Sequence, residues 1–165
     1  MTLNLSSFVV VSVSGITCID NKLFAVFYNS HTIGVFAADT LSEVSFITVD
    51  GLQEPRDLVA CCDDHQLYVL EKKCSIWRVS AVNPTDYERW LTDFSGGNCT
   101  LSLTSRRLLV TVTSGLWRRL HQYSTTNKQL LRIITVDGRF THAVETSRGT
   151  FVIGRVATRD VSELL

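Results

Sequence analysis

Glu54-Pro-Arg-Asp-Leu-Val-Ala-Cys-Cys-Asp-Asp-His-Gln-Leu-Tyr-Val-Leu-Glu-Lys-Lys-Cys-Ser-Ile-Trp-Arg-Val-Ser80 is the stretch that decides the fold. It alternates short β-rich runs with turn-forming clusters. Asp57–Cys62, Leu67–Leu70 and Ser75–Ser80 are rich in Val, Ile, Leu and aromatic residues, the composition of half-buried strands. Between them lie Asp63-Asp64-His65-Gln66 and Glu71-Lys72-Lys73. Asp and Asn side chains bond their own backbone and tolerate left-handed geometry, so such clusters turn the chain. A further run, Tyr87–Thr92, follows the connection Ala81–Asp86. One rival reading applies there. Asn83-Pro84-Thr85-Asp86-Tyr87-Glu88 has a cap, a proline and acids in the order that starts a helix.

The same unit recurs along the chain. Leu23-Phe24-Ala25-Val26, Leu67-Tyr68-Val69-Leu70, Leu108-Leu109-Val110-Thr111 and Phe151-Val152-Ile153-Gly154 begin 44, 41 and 43 residues apart. Ile33, Ile76 and Leu120 keep the spacing at 43 and 44. Ile47-Thr48-Val49-Asp50-Gly51, Leu91-Thr92-Asp93 and Ile134-Thr135-Val136-Asp137-Gly138 do so again, their threonines 44 and 43 apart. Asp20-Asn21-Lys22 and Asn29-Ser30-His31 supply the first unit with turns in the matching places. Four short strands every ~40–45 residues are the pattern of a β-propeller blade. The expected fold is therefore all-β, a propeller of four-stranded antiparallel blades. The units run at about 13–52, 57–95, 98–138 and 142–165, three full blades and a partial one in a single domain.

Composition agrees with a packed domain. The chain has 165 residues, 45% of them apolar and 19% charged, with two prolines and nine glycines. This excludes a disordered or collagen-like chain. Sixteen basic and sixteen acidic residues cancel, so the overall balance is not that of a strongly basic nucleic-acid binder. No apolar run reaches the ~18 residues of a spanning helix, and no membrane association is expected. Phe8–Val13 is apolar but lacks a basic flank, so it reads as a strand and not as a signal peptide. The cysteines are Cys18, Cys61, Cys62, Cys74 and Cys99. An odd number without spacing logic reads as free, buried thiols in a cytoplasmic or other reducing compartment.

The segment Glu54 to Ser80 resembles NHL-type and WD40-like repeats, and so does Gly138 to Gly154. In NHL-like blades a proline-containing turn leads into the inner strand, then a Leu-Tyr-Val strand, then an Ile-x-Arg-Val strand. The resemblance spans roughly Gly15 to Gly154 and implies the six-bladed TolB-like class of propeller. Some features depart from it. The Gly-His and Trp-Asp pairs of WD40 blades are absent. Leu70 stands where NHL blades often carry aspartate, and the third unit replaces the proline turn by Ser95-Gly96-Gly97-Asn98. Closed rings take about 4–8 blades. Part of a six-bladed ring is the expectation. A four-bladed ring is the alternative, with Ser7–Val13 pairing onto the last unit. An incomplete ring leaves open edges and apolar faces, which calls for self-association or a partner that supplies the missing blades.

No catalytic, cofactor or metal site is legible. The four histidines, His31, His65, His121 and His142, form no ligand pair at metal spacing, and no Cys-x-x-Cys occurs. No nucleophile elbow and no phosphate loop is present. Asp63-Asp64 reads as a solvated turn. Residues 1–82 carry 5 basic and 9 acidic groups, and residues 83–165 carry 11 and 7. The arginines of the second half, with Trp117, Tyr123 and Phe140 nearby, suggest RNA binding, a property the resemblance also allows. Arg106-Arg107 and Arg118-Arg119 fall near opposite faces, however. The leading expectation is a non-catalytic protein-interaction scaffold. RNA binding is the alternative, and a metal-dependent enzyme with a site near the ring axis, where only His142 is placed, is a third reading. Partners dock on the loops that join blades and those that join second to third strands. By position, the contact candidates are Glu54, Arg56, Lys72, Lys73 and Arg139. Trp77 and Trp117 join them where exposed and are core where they lie between blades.

Overall fold

The computed structural model describes residues 12–72, 75–92, 97–114, 117–137 and 140–155, without the side chains of Trp117 and Arg155. Every regular element among the described residues is a strand. β1 (Val13–Ile19), β2 (Lys22–Phe27), β3 (Thr32–Ala37) and β4 (Glu43–Thr48) form the first antiparallel sheet, in that order. β5 (Pro55–Cys61), β6 (Gln66–Glu71), β7 (Ile76–Ser80) and β8 (Tyr87–Leu91) form the second. β9 (Asn98–Thr104), β10 (Arg107–Ser114), β11 (Trp117–Ser124) and β12 (Leu130–Thr135) form the third. β13 (Phe140–Glu145) and β14 (Phe151–Arg155) pair as a two-stranded fourth unit. Apart from Ser12 and Val13, the latter opening β1, the segment Ser7–Val13 lies outside the described residues.

Local chemistry explains the meander. Ile19 pairs with Lys22, leaving Asp20 and Asn21 as a two-residue loop at φ 48° and 59°. Both positions need positive φ, which Asp and Asn tolerate, and the tight turn then matches the twist of the strands it joins. Asn29, His65 and Lys128 take the same left-handed geometry in their turns. The helix start read at Asn83–Glu88 does not propagate. Asn83 Oδ1 accepts bonds from the Thr85 amide and hydroxyl at 3.4 and 3.0 Å, the Asp86 amide closes a turn on Asn83 O, and Tyr87 enters β8. The cap is real, but Tyr87 has a better place against Trp77 than in a helix.

Alternation sends successive side chains of each strand to opposite faces. Leu67 and Val69 point to the first sheet and bury there with Phe24, Val26, Ile33 and Val35. Tyr68 and Leu70 point the other way, into a second core with Leu101, Leu108 and Val110. Leu109, Leu120, Phe140 and Ala143 fill the space between the third sheet and β13–β14. Each large aliphatic side chain so buried stabilises the fold by about 1.5–3 kcal/mol. The cores lie between sheets, so the sheets stack face to face in chain order.

Polar links between the innermost strands follow the repeat. Ser14 Oγ donates to Pro55 O at 2.6 Å, and Asp57 Oδ2 accepts from the Leu101 amide at 2.8 Å. Thr104 Oγ1 donates to Glu145 O at 2.6 Å, and Thr100 Oγ1 lies 3.0 Å from His142 Nδ1. Gly15, Asp57, Thr100 and His142 occupy matching places on β1, β5, β9 and β13, one position before the pairs Ile16–Ala25, Leu58–Val69, Leu101–Val110 and Ala143–Ile153. The fold is all-β, with β-propeller blades in three full sheets and a partial fourth. No strand of the first sheet packs appreciably on β13 or β14 among the described residues.

Candidate functional site

Three connections meet at one end of the first two blades. The β2–β3 turn brings Tyr28, the β4–β5 connection brings Glu54 just before Arg56 on β5, and the β6–β7 turn brings Lys72. The backbone fastens them. The Val49 amide bonds His31 O at 2.9 Å, and the Lys72 amide bonds Glu54 O at 3.1 Å. Glu54 itself has φ 43°, a left-handed turn that a non-glycine residue holds only where its surroundings fix it.

Glu54 is the hub of this end. Lys72 Nζ reaches Glu54 Oε2 at 2.7 Å and Oε1 at 2.9 Å. Tyr28 donates its hydroxyl to Oε2 at 3.0 Å, and Arg56 Nη2 stands 3.6 Å from the same oxygen. The Arg56 guanidinium also lies over the Tyr28 ring, 5.0 Å from its centroid. The Lys72 hydrogen bond, aided by Tyr28 and Arg56, holds the Glu54 carboxyl below its usual range, against the smaller opposing effect of burial. Two cations face one carboxylate, so this patch carries a net positive charge. It presents an aromatic face, a guanidinium and an ammonium in a fixed arrangement, well suited to a carboxylate-bearing surface.

Trp77 does not belong to that surface. It is only 6% exposed and packs in the core between the first two sheets. Its indole N–H donates to Glu71 Oε2 at 2.9 Å, and Arg89 covers its ring at 4.9 Å. The contact role expected for an exposed Trp77 gives way to the core role because the ring is enclosed by the neighbouring blade. Glu71 is 5% exposed, although it reads in the sequence as part of a turn. It also accepts from the Gln53 amide at 3.3 Å, one residue before Glu54. Trp77 and Glu71 thus hold the Glu54 connection from beneath. The sequence signal was the pairing of Glu71 with a tryptophan six residues on, which has meaning only once the hairpin brings them together.

Of the other contact candidates, Lys73 and Arg139 lie outside the described residues, as does the Trp117 side chain. Glu54, Arg56 and Lys72 are brought together. The second-half arginines do not merge into one basic patch. Arg107 and Arg132 close on Glu145 at 3.5 and 3.3 Å, and Gln122 donates to the same carboxylate. Arg106 pairs with Asp64 at 3.2 Å and with Asp63 at 3.8 Å. The turn carboxylates are therefore tied to the next blade, not merely solvated. Arg106-Arg107 and Arg118-Arg119 sit at opposite ends of the β10–β11 ladder.

The histidines are scattered. His65 pairs with Asp20 at 2.9 Å across the first two blades, and His142 with Thr100 across the last two. Burial, with Arg119 nearby, lowers the basicity of His121. No three His, Cys, Asp or Glu side chains gather as a metal site among the described residues. The cysteines depart from the expectation of five free, buried thiols. Cys61 is free and buried, Cys18 and Cys62 are free and exposed, and Cys99 is disulfide-bonded. Cys74 lies outside the described residues. No helix among the described residues is long and apolar enough to cross a membrane.

The class this architecture defines is the β-propeller, and solved structures agree. The chain is similar to Kuenenia stuttgartiensis hydrazine synthase, with a TM-score of 0.68 at 13% identity over 83% of this chain. It is also similar to a chain in the crystal structure of a nidogen/laminin complex, with a TM-score of 0.63 at 11% identity over 76% of this chain. At such identities the likeness concerns the fold alone. The matches span 41% and 49% of those chains, so this chain corresponds to less than half of either. No family model matches the sequence, and no curated protein matches it.

Proposed function

We propose that the chain is a non-catalytic protein-interaction scaffold, and that its contact surface is the loop end carrying Tyr28, Glu54, Arg56 and Lys72. One observation carries this reading: loops of two successive blades converge on an exposed, cross-linked ion cluster with an aromatic face. The fold provides a rigid base for it, since Glu71 and Trp77 fix the connection from below. The matching partner is a protein segment rich in carboxylates, which the excess positive charge attracts and Arg56 grips through its planar fork. The resemblance of Glu54–Ser80 to NHL-type blades supports the same reading, as a blade whose loops recognise a partner.

A photoreactive amino acid placed at Tyr28, and separately at Asn127 in the β11–β12 turn, tests the surface. Captured proteins specific to position 28, and lost in the double variant R56E/K72E, support the scaffold reading. Equal capture at both positions, or capture unchanged in the double variant, contradicts it. Capture that vanishes with ribonuclease and falls steeply with salt assigns the chain to RNA instead.

A further inference from the structure

The first sheet carries an apolar face on which no other described strand packs. Cross-strand partners share a face, so Ile16, Ala25, Gly34 and Phe46 form one row, and Cys18, Leu23 and Phe36 form the next. Ile16 is 60% exposed and Phe46 50%. The rings of Phe27 and Phe36 close over Gly34, where an added Cβ would stand 3.0 and 2.7 Å from them. Charged groups are sparse on this face, Glu43 opposite Phe36 being the charged residue paired into these rows.

The repeat shows what such a face receives. The matching rows of the second sheet, Leu58–Val69–Trp77 and Ala60–Leu67–Val79, are packed on the first sheet. Those of the third sheet, Leu101–Val110 and Leu103–Leu108–Tyr123, are packed on the second. Ala143 and Ile153 of the fourth unit are packed on the third. The complementary face follows the same register. Phe24 and Val35 of the first sheet and Val59 and Tyr68 of the second each face the following blade. In the fourth unit the corresponding row is Val144–Val152, and Val152 is 58% exposed. The two uncovered faces are thus the two halves of one interface, the interface this chain already forms three times within itself. Among the described residues they do not meet within a single chain, because the first sheet and β13–β14 do not pack appreciably on one another.

We infer that a second copy of this chain supplies the missing half at each end. The Val144–Val152 face of one copy seats on the Ile16–Phe46 face of the other, and the reverse contact forms across a two-fold axis. This is a head-to-tail contact, which generates a ring when its rotation closes. Two copies bring three sheets and a partial fourth each, a total within the 4–8 blades that close a propeller. A different protein would have to reproduce this register independently; a second copy already has it.

Light scattering after size exclusion, over a range of concentrations, reads the outcome, with Ile16→Asp and Val152→Asp as variants. Both positions are exposed, so neither substitution strains the fold, and the far-ultraviolet spectrum of strands verifies that it is kept. The wild-type chain is expected at twice 18.5 kDa, and each variant alone at 18.5 kDa. Mixing the two variants is expected to restore the doubled mass, since each keeps the face the other has lost. A wild-type chain that stays at 18.5 kDa at every concentration overturns the proposal and leaves the face to another blade-bearing partner. Persistent doubling in Val152→Asp alone overturns it too, because that contact joins two first sheets. A mass that grows without limit overturns closure.

Discussion

Two buried carboxylates organise this molecule at the level of single residues. Glu71 joins Trp77, Arg89 and the Gln53 amide, while Glu145 joins Arg107, Gln122 and Arg132. Removing Glu71 leaves the buried indole N–H of Trp77 without its acceptor. Glu71→Ala is expected to cost about 1–3 kcal/mol in chemical denaturation. Glu145→Ala is expected to fall in the same range of about 1–3 kcal/mol, because Arg107 and Arg132 are part-exposed and can rehydrate. Loss below a few tenths in either variant contradicts the bonding described. Acid should weaken the fold through two groups. Burial lowers the basicity of His121, so the unfolded chain takes up that proton first. Stability then declines as pH falls below the ordinary histidine value, until the folded chain is protonated as well. Glu54, held low chiefly by Lys72, contributes stability above the usual carboxylate range, and that contribution fades as pH drops through its lowered value. Melting from about pH 8 down to about pH 3 separates the two, since His121→Gln should flatten only the upper part of the decline. An unchanged slope contradicts the role of His121. The disulfide at Cys99 and the reducing compartment suggested by the cysteine count pull in opposite directions. Alkylation of the denatured, unreduced chain followed by peptide mapping decides: Cys99 should be labelled only after reduction, and labelling beforehand contradicts the bond.

At the level of elements, the blades are joined by close approach between innermost strands. A Cβ on Gly15 would stand 2.7 Å from the Leu58 amide nitrogen and 2.9 Å from the Asp57 carbonyl carbon. The atoms met are backbone, which cannot swing away. Gly15→Ala is therefore expected to prise the first blade from the second and to cost about 1–3 kcal/mol, the range for overpacking. A neutral result contradicts the packing of β1 on β5. The strands themselves were legible in the sequence. The runs read at Leu67–Leu70 and Ser75–Ser80 lie within a residue of β6 and β7, because apolar alternation and turn chemistry act locally. Glu71 was not legible as a buried group, since its partners Gln53, Trp77 and Arg89 come from three connections and strands that only the sheet assembles. The cap at Asn83 was legible, but its outcome was not, because burial of Tyr87 beside Trp77 outweighed the local preference for a helical turn. Of the contact candidates, Glu54, Arg56 and Lys72 were found by counting loops along the repeat. Tyr28 was missed, since no motif marks an aromatic residue at a blade end.

The whole molecule is an arc of blades in which each sheet meets the next through the same two faces. The period near 43 residues predicts this stacking, because contacts between blades must then recur one repeat apart. Asp57 to Leu101 and Thr104 to Glu145 obey it. Methyl-to-methyl nuclear Overhauser contacts in a chain labelled at Leu, Val and Ile test it most directly. Contacts are expected from Val26 and Val35 to Leu67 and Val69, and from Leu70 to Leu101 and Leu108, since these groups share the cores between blades. Contacts confined to strands of one sheet, with none between residues one repeat apart, would contradict the stacked-blade fold and every site built upon it.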